Sequence, residues 1–158
     1  MKEVQPIRDT KKIDAMKSIM KGESNYRDLL LFVLGINTGL RISDILALKW
    51  CSLINGGGRL LKAGDQLNVV EIKTKKLKSF MINRSVGEAL KLYHDSLANV
   101  NPDDPVFSSR KTDDGSLQPI TRIAAWQMLN RYANMVGLDD GIGTHTLRKT
   151  FGYHLYKK

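Results

Sequence analysis

The chain has 158 residues, 42% of them hydrophobic and 26% charged, with 25 Lys and Arg against 16 Asp and Glu for a formal charge of +9. That length supports a single domain with a real core, and no stretch reaches the roughly 18 apolar residues of a membrane span. The lone cysteine, Cys51, excludes an internal disulfide, and the excess positive charge favours a polyanionic partner, most often nucleic acid, over a bare basic surface.

The opening residues, MKEVQPIRDTKK, lack the apolar core of a signal peptide, so a cytoplasmic setting is expected. Asp9 offers an N-cap to a helix that places Ile13, Met16, Ile19 and Met20 on one side and ends at Gly22. A second helix is predicted over 26–36, apolar on most sides and therefore central to the core. Asn37-Thr38-Gly39 breaks it, and a third, short helix buries Ile42, Ile45, Leu46 and Leu48. Cys51 follows Trp50 in an apolar stretch and reads as core, and Gly56–Gly58 is a loop.

From Leu60 the texture changes. LNVVEI (67–72) and SFMIN (79–83) read as strands, with KTKKLK (73–78) as the hairpin tip and RLL (59–61) as a third, edge strand. Helical patterns return at 86–97, at 121–136 and from Thr146 onward, and NPDDP (101–105) and KTDDGS (111–116) are loops. The predicted fold class is α+β, mainly helical, with one small three-stranded antiparallel sheet.

Three stretches carry chemistry. In TGLRISDILALKW (38–50), Arg41 sits at the mouth of a helix anchored by Ile42 and Ile45. A guanidinium fork held at a rigid turn suits a phosphate. Pairing with Asp44, three residues on, is the other reading, and the motif alone leaves both open. KTKKLK puts Lys73, Lys75, Lys76 and Lys78 at a hairpin tip, solvated or against a polyanion backbone, and Lys73 at the strand's end is the one placed to reach into a groove or site. In GTHTLRKTFGYHLYKK (143–158), Thr144 is the candidate N-cap, and His145 and Arg148 share a face near a helix N-terminus, where an anion is favoured. Leu147, Phe151 and Leu155 form a separate apolar docking stripe. No Cys/His cluster or carboxylate triplet has metal-ligand spacing, and NGGGRLLKAG lacks the Gly-x-x-x-x-Gly-Lys-Ser/Thr of a nucleotide loop.

Taken together, over about residues 25–155, these motifs resemble the catalytic domain of the tyrosine recombinases, the phage-integrase family. TGLRISDILALKW resembles that family's first-arginine box, the lysine-tipped hairpin follows in order, and HTLRKTF resembles its H-x-L-R box. The resemblance implies site-specific DNA recombination or integration, in which a tyrosine attacks the scissile phosphate through a 3′-phosphotyrosyl intermediate without metal or other cofactor. It implies that Arg41 and Arg148 clamp the nonbridging oxygens, that His145 assists by hydrogen bonding or proton transfer, and that Lys73 is the general acid toward the leaving 5′-oxygen. Lys75, Lys76 and Lys78 would contact DNA, and Asp44 would orient basic groups from behind. The implied partners are double-stranded DNA and other protomers, a tetramer in the family. The implied setting is the cytoplasm of a bacterial host of a phage or mobile element.

The family's nucleophilic tyrosine lies well beyond the second arginine, whereas ten residues follow Arg148 here. Tyr153 lies roughly 140° around the helix from Arg148, and Tyr156 about 12 Å along it. The expectation is therefore that residues 1–158 form a single integrase-like catalytic domain lacking the tyrosine segment and the N-terminal DNA-clamp domain, and inactive as supplied. The alternative is a noncatalytic, integrase-derived DNA-binding module or regulator.

Overall fold

The computed structural model describes residues 4–111, 114–138, 141–143 and 145–157, with backbone alone at 110 and 111. Asp9 caps helix α1 (Thr10–Gly22) by accepting the Lys11 N–H. Ile13, Met16 and Met20 turn inward, as their spacing predicts. Helix α2 (Tyr26–Thr38) is the centre of the core: Leu29 through Leu34 are each at most 1% exposed, because helices pack against it on several sides. The short α3 (Ile42–Leu46) buries Ile42, Ile45 and Leu46.

Two further caps fix later helices. The Asn83 carboxamide accepts the Val86 N–H at the start of α4 (Arg84–Ser96), and the Thr121 hydroxyl accepts the Ala124 N–H at the start of α5 (Arg122–Met135). Both α4 and the last helix, α6 (Thr146–Lys157), pack on α2. The candidate N-cap Thr144 lies outside the described residues. Asn130 on α5 holds the approach to α6, accepting from the Ile142 N–H (2.7 Å) and donating to its carbonyl (2.8 Å). The N-terminal segment is clasped to α6 as well: Ile7 N–H donates to the Thr150 hydroxyl at 2.9 Å, and the Ile7 carbonyl meets the His154 ring at 2.8 Å.

The sheet differs from expectation. Strands β1 (Gln66–Val70) and β2 (Leu77–Met81) pair antiparallel, with Val69 opposite Lys78 and Val70 opposite Leu77. The expected third strand at 59–61 is not beside them. Leu60 makes one bridge, to Ile54, across a turn that the Asn55 side chain closes by accepting the Gly57 and Arg59 N–H groups. A second two-stranded sheet, β3 (Ser108–Lys111) with β4 (Leu117–Pro119), flanks the stretch read as a plain loop. Ser108–Lys111 is polar and the register is irregular, so the hairpin lacks the period-two signal of a half-buried strand.

Two smaller expectations are also corrected. Cys51 is exposed: the 3-10 turn Trp50–Leu53 faces Trp50 and Leu53 inward and Cys51 outward. The α6 stripe stops early, because Gly35 and Gly39 on and just past α2 receive Leu147 and Phe151, whereas α2 has ended before Leu155, which is 59% exposed.

One polar network crosses the core. Tyr132 is fully buried, donates its hydroxyl to Asp28 (3.1 Å) and accepts from the Asn25 carboxamide (2.9 Å). Burial above all, then the Asp28 charge, pushes its phenol up to about 12. Tyr132→Phe removes one hydrogen bond from each partner, leaving Asn25 its bond to Glu23 and Asp28 its pairing with Arg27, and is expected to cost about 1–3 kcal/mol in urea unfolding. The raised pKa also sets a sign: the folded state holds this proton more tightly than the unfolded chain does. That stabilisation is complete below the unfolded phenol's value of 10.0 and is lost as pH rises toward about 12. The Phe variant should therefore show a shallower alkaline decline.

Candidate functional site

The site begins at a turn that only glycine makes readily. Gly39 caps α2 with φ +69 and donates its N–H to the Gly35 carbonyl. The chain then reverses into α3, whose N-cap is Arg41, with the Arg41 carbonyl accepting the Asp44 and Ile45 N–H groups. The backbone under Arg41 is thus fixed from both sides.

The Arg41 side chain does not pair with Asp44. Its Nη1 donates to Oε2 of Glu71 at 2.9 Å. Glu71, just past β1, is 3% exposed. Its Oε1 accepts the Thr74 hydroxyl at 3.0 Å and lies 3.7 Å from Lys78 Nζ. The Thr74 hydrogen bond first, then the charges of Lys78, Arg41 and Arg148, hold the Glu71 carboxyl below its ordinary range, against the opposing effect of burial. The backbone of Glu71 also closes the hairpin, since its N–H donates to the Lys76 carbonyl and its carbonyl accepts the Lys75 N–H, both at 2.9 Å.

A cleft of about 230 Å³ opens here, lined by Gly39 and Leu40 at the turn, Glu71 and Lys78 on the hairpin, and Arg148 and Phe151 on α6. Arg41, Lys78 and Arg148 thus gather from three distant segments around one carboxylate, with Arg41 outside the cleft lining. Three cations against one buried anion leave net positive charge, a setting that favours an anionic ligand.

The other predicted residues are placed differently. Lys73, Lys75 and Lys76 are exposed on the hairpin tip, and Lys75 takes a left-handed backbone (φ +60). His145 is exposed just ahead of α6 and does not line the cleft. Asp44 is 3% exposed and accepts the Ile72 N–H at 2.9 Å, tying α3 to the residue beside Lys73; its Oδ2 is buried without a hydrogen-bond partner. Glu71 and Thr74 escaped the sequence reading. The one available signal was an acidic residue at the end of an apolar strand, directly before a lysine run.

None of the five tyrosines lines the cleft. Tyr93 and Tyr132 are buried in the core, and Tyr26 packs against it. The Tyr153 ring lies under Arg8 and Lys157, and Tyr156 is 94% exposed. Among the described residues no His, Cys, Asp and Glu group is arranged to hold a metal, and no helix is long and apolar enough to cross a membrane.

A mainly helical scaffold with two small antiparallel sheets, which brings Arg41, Lys78 and Arg148 around one buried carboxylate, defines a mixed α/β class with positive charge in excess at its candidate site. The particular family follows from comparison: the chain belongs to the phage integrase family, whose model matches residues 9–158. It is 39% identical over 155 residues to the probable integrase/recombinase YoeC of Bacillus subtilis strain 168, covering 98% of this chain and 76% of that protein. The fold is that of the XerA recombinase crystal structure (TM-score 0.71, 17% identity, 99% of this chain and 53% of that one). It is also that of a lambda integrase tetramer bound to a Holliday junction (TM-score 0.62, 17% identity, 100% of this chain and 44% of that one). The chain thus spans about half the length of these structural relatives.

Proposed function

We propose that this chain is the phosphate-clamping core of a tyrosine recombinase that acts in site-specific DNA recombination. The observation that carries the reading is the convergence of Arg41, Lys78 and Arg148 on the Glu71 carboxylate from segments otherwise far apart in the chain, with Glu71, Lys78 and Arg148 lining the cleft. A phosphodiester attacked without metal needs cations supplied by the protein. Here Arg41 and Arg148 clamp the nonbridging oxygens, Lys73 acts as general acid toward the departing 5′-oxygen, and His145 assists by hydrogen bonding or proton transfer. Lys75 and Lys76 on the exposed tip contact the DNA backbone, and Lys78 adds charge at the cleft. Asp44 orients the hairpin through Ile72. DNA and further protomers are the partners, a reading supported by the lambda integrase neighbour, a tetramer on a Holliday junction.

The nucleophile is a tyrosine other than the five in this sequence, because none of those faces the clamp. Incubating the 158-residue chain with a nicked suicide duplex should therefore trap no covalent adduct. An adduct that maps to Tyr153 or Tyr156 would overturn this assignment. The same placement favours a second reading, a noncatalytic integrase-derived DNA binder. The two readings part in a chain extended with its downstream coding sequence, where the recombinase alone yields an adduct that Arg148→Ala abolishes. DNA binding itself is tested by duplex titration at low salt. Arg41→Ala and Arg148→Ala are each expected to weaken affinity about tenfold, the equivalent of one charge-assisted hydrogen bond. A chain with no affinity for duplex DNA at 50 mM salt would sink the reading.

A further inference from the structure

We propose that Glu71 is the positioning residue of this cleft: its buried carboxylate holds Arg41 and Lys78 where they meet a phosphate oxygen and ties both to the turn that carries Lys73. The proposal rests on the cleft's reading as a phosphate site. Both carboxylate oxygens are committed, Oε2 to Arg41 at 2.9 Å and Oε1 to the Thr74 hydroxyl at 3.0 Å with Lys78 at 3.7 Å. The group is therefore oriented from both ends. Among the described residues Glu71 is the one hydrogen-bond partner of the Arg41 side chain, and it uses Nη1 alone. The remaining guanidinium donors stay available for a two-pronged contact with phosphate.

Without Glu71, three like charges stand together with no anion between them. Arg41 and Lys78 then repel each other and Arg148, and long side chains relieve that repulsion by turning to solvent. The same residue closes the hairpin through its own N–H and carbonyl, so the register of the turn and the aim of Arg41 are set at one point.

A rival account has the carboxylate merely occupying the place of the phosphate, and the two accounts predict opposite signs. Removing a negative charge should tighten anion binding if Glu71 competes and weaken it if Glu71 positions. Inorganic sulfate serves as the probe on the full 158-residue chain, read at the Arg41 and Arg148 side-chain NMR signals. In the wild type, hindered rotation should give Arg41 resolved guanidinium signals even before sulfate is added. In Glu71→Gln those signals collapse to an averaged one, and sulfate affinity at Arg41 falls about tenfold, one charge-assisted hydrogen bond's equivalent.

Lowering the pH of the wild type should reproduce the variant as Glu71 takes up a proton below its ordinary value of 4.5. The charged groups facing it are Arg41, Lys78 and Arg148, with Asp44 the neighbouring carboxyl held on Ile72. The acid step owned by Glu71 is the one absent from Glu71→Gln. Glu71→Asp keeps the charge on a shorter arm, guards against a folding defect in the first variant, and should retain part of the tether. Unchanged Arg41 signals in Glu71→Gln, or tighter sulfate binding, overturn the proposal. A wild type with a resolved Arg41 signal but no sulfate binding instead overturns the phosphate reading of the cleft.

Discussion

Gly39→Ala is expected to cost about 2–5 kcal/mol, the sum of left-handed backbone strain and overpacking. The φ of +69 disfavours any side chain, and a Cβ there would sit 2.5 Å from Cδ1 of the Phe151 ring. A ring cannot yield as a flexible chain end does. Gly35→Ala separates the two contributions, because Gly35 lies inside α2 with ordinary helical backbone and its Cβ would meet Leu147, again at 2.5 Å from Cδ1. That crowding costs about 1–3 kcal/mol, offset by up to about 1 kcal/mol of helix propensity. Thermal melting should therefore place Gly39→Ala roughly 5–15 °C below wild type, with Gly35→Ala between them. Equal melting temperatures for Gly39→Ala and wild type would mean that the turn into Arg41 is not held as described.

Duplex affinity is expected to fall about a thousandfold between 50 and 200 mM salt, as for about six phosphate contacts. The six candidates are Arg41, Lys73, Lys75, Lys76, Lys78 and Arg148, spread between the cleft and the tip. Substituting a tip lysine, Lys75 or Lys76, by alanine should reduce the salt slope by about one and weaken all duplex sequences alike. A slope near zero would remove the DNA assignment from both the cleft and the tip. A slope unaltered by the tip substitutions would move the contacts elsewhere on this +9 chain.

Much of this architecture is written in local pattern. Asp9 and the Ile13, Met16, Met20 spacing give α1, and an unbroken apolar run gives α2, because capping and burial periodicity are properties of neighbouring residues. The second hairpin was hidden because Ser108–Lys111 is polar and carries no alternating apolar residue to signal a strand. Leu155 and Cys51 misled for the opposite reason: apolar character shows that a residue can be buried, while the end of α2 and the phase of a 3-10 turn decide whether it is.

The site divides the same way. Arg41 and Arg148 stood out through the motifs around them. Glu71 reads in sequence as one more surface carboxylate beside lysines. Its burial and its bond to Arg41 arise only when α3 meets the hairpin, 30 residues downstream, and no local periodicity encodes that meeting. Asp44 accepts the Ile72 N–H from 28 residues away, a partner that the motif around it does not reveal.

The clasp between Ile7 and α6 spans more than 140 residues and has a consequence for how the protein is made. Emerging from the ribosome, the chain can close its Gly39 turn and seat Arg41 on Glu71 long before residue 148 has been synthesised. At that stage the nascent site holds Arg41 and Lys78 against Glu71 and lacks Arg148. Arg148 arrives with α6, whose docking completes α2's cover and engages the chain's first segment in the same step. Arg148 is therefore the last of the three cations to join Glu71, and it does so in the step that docks α6 on α2.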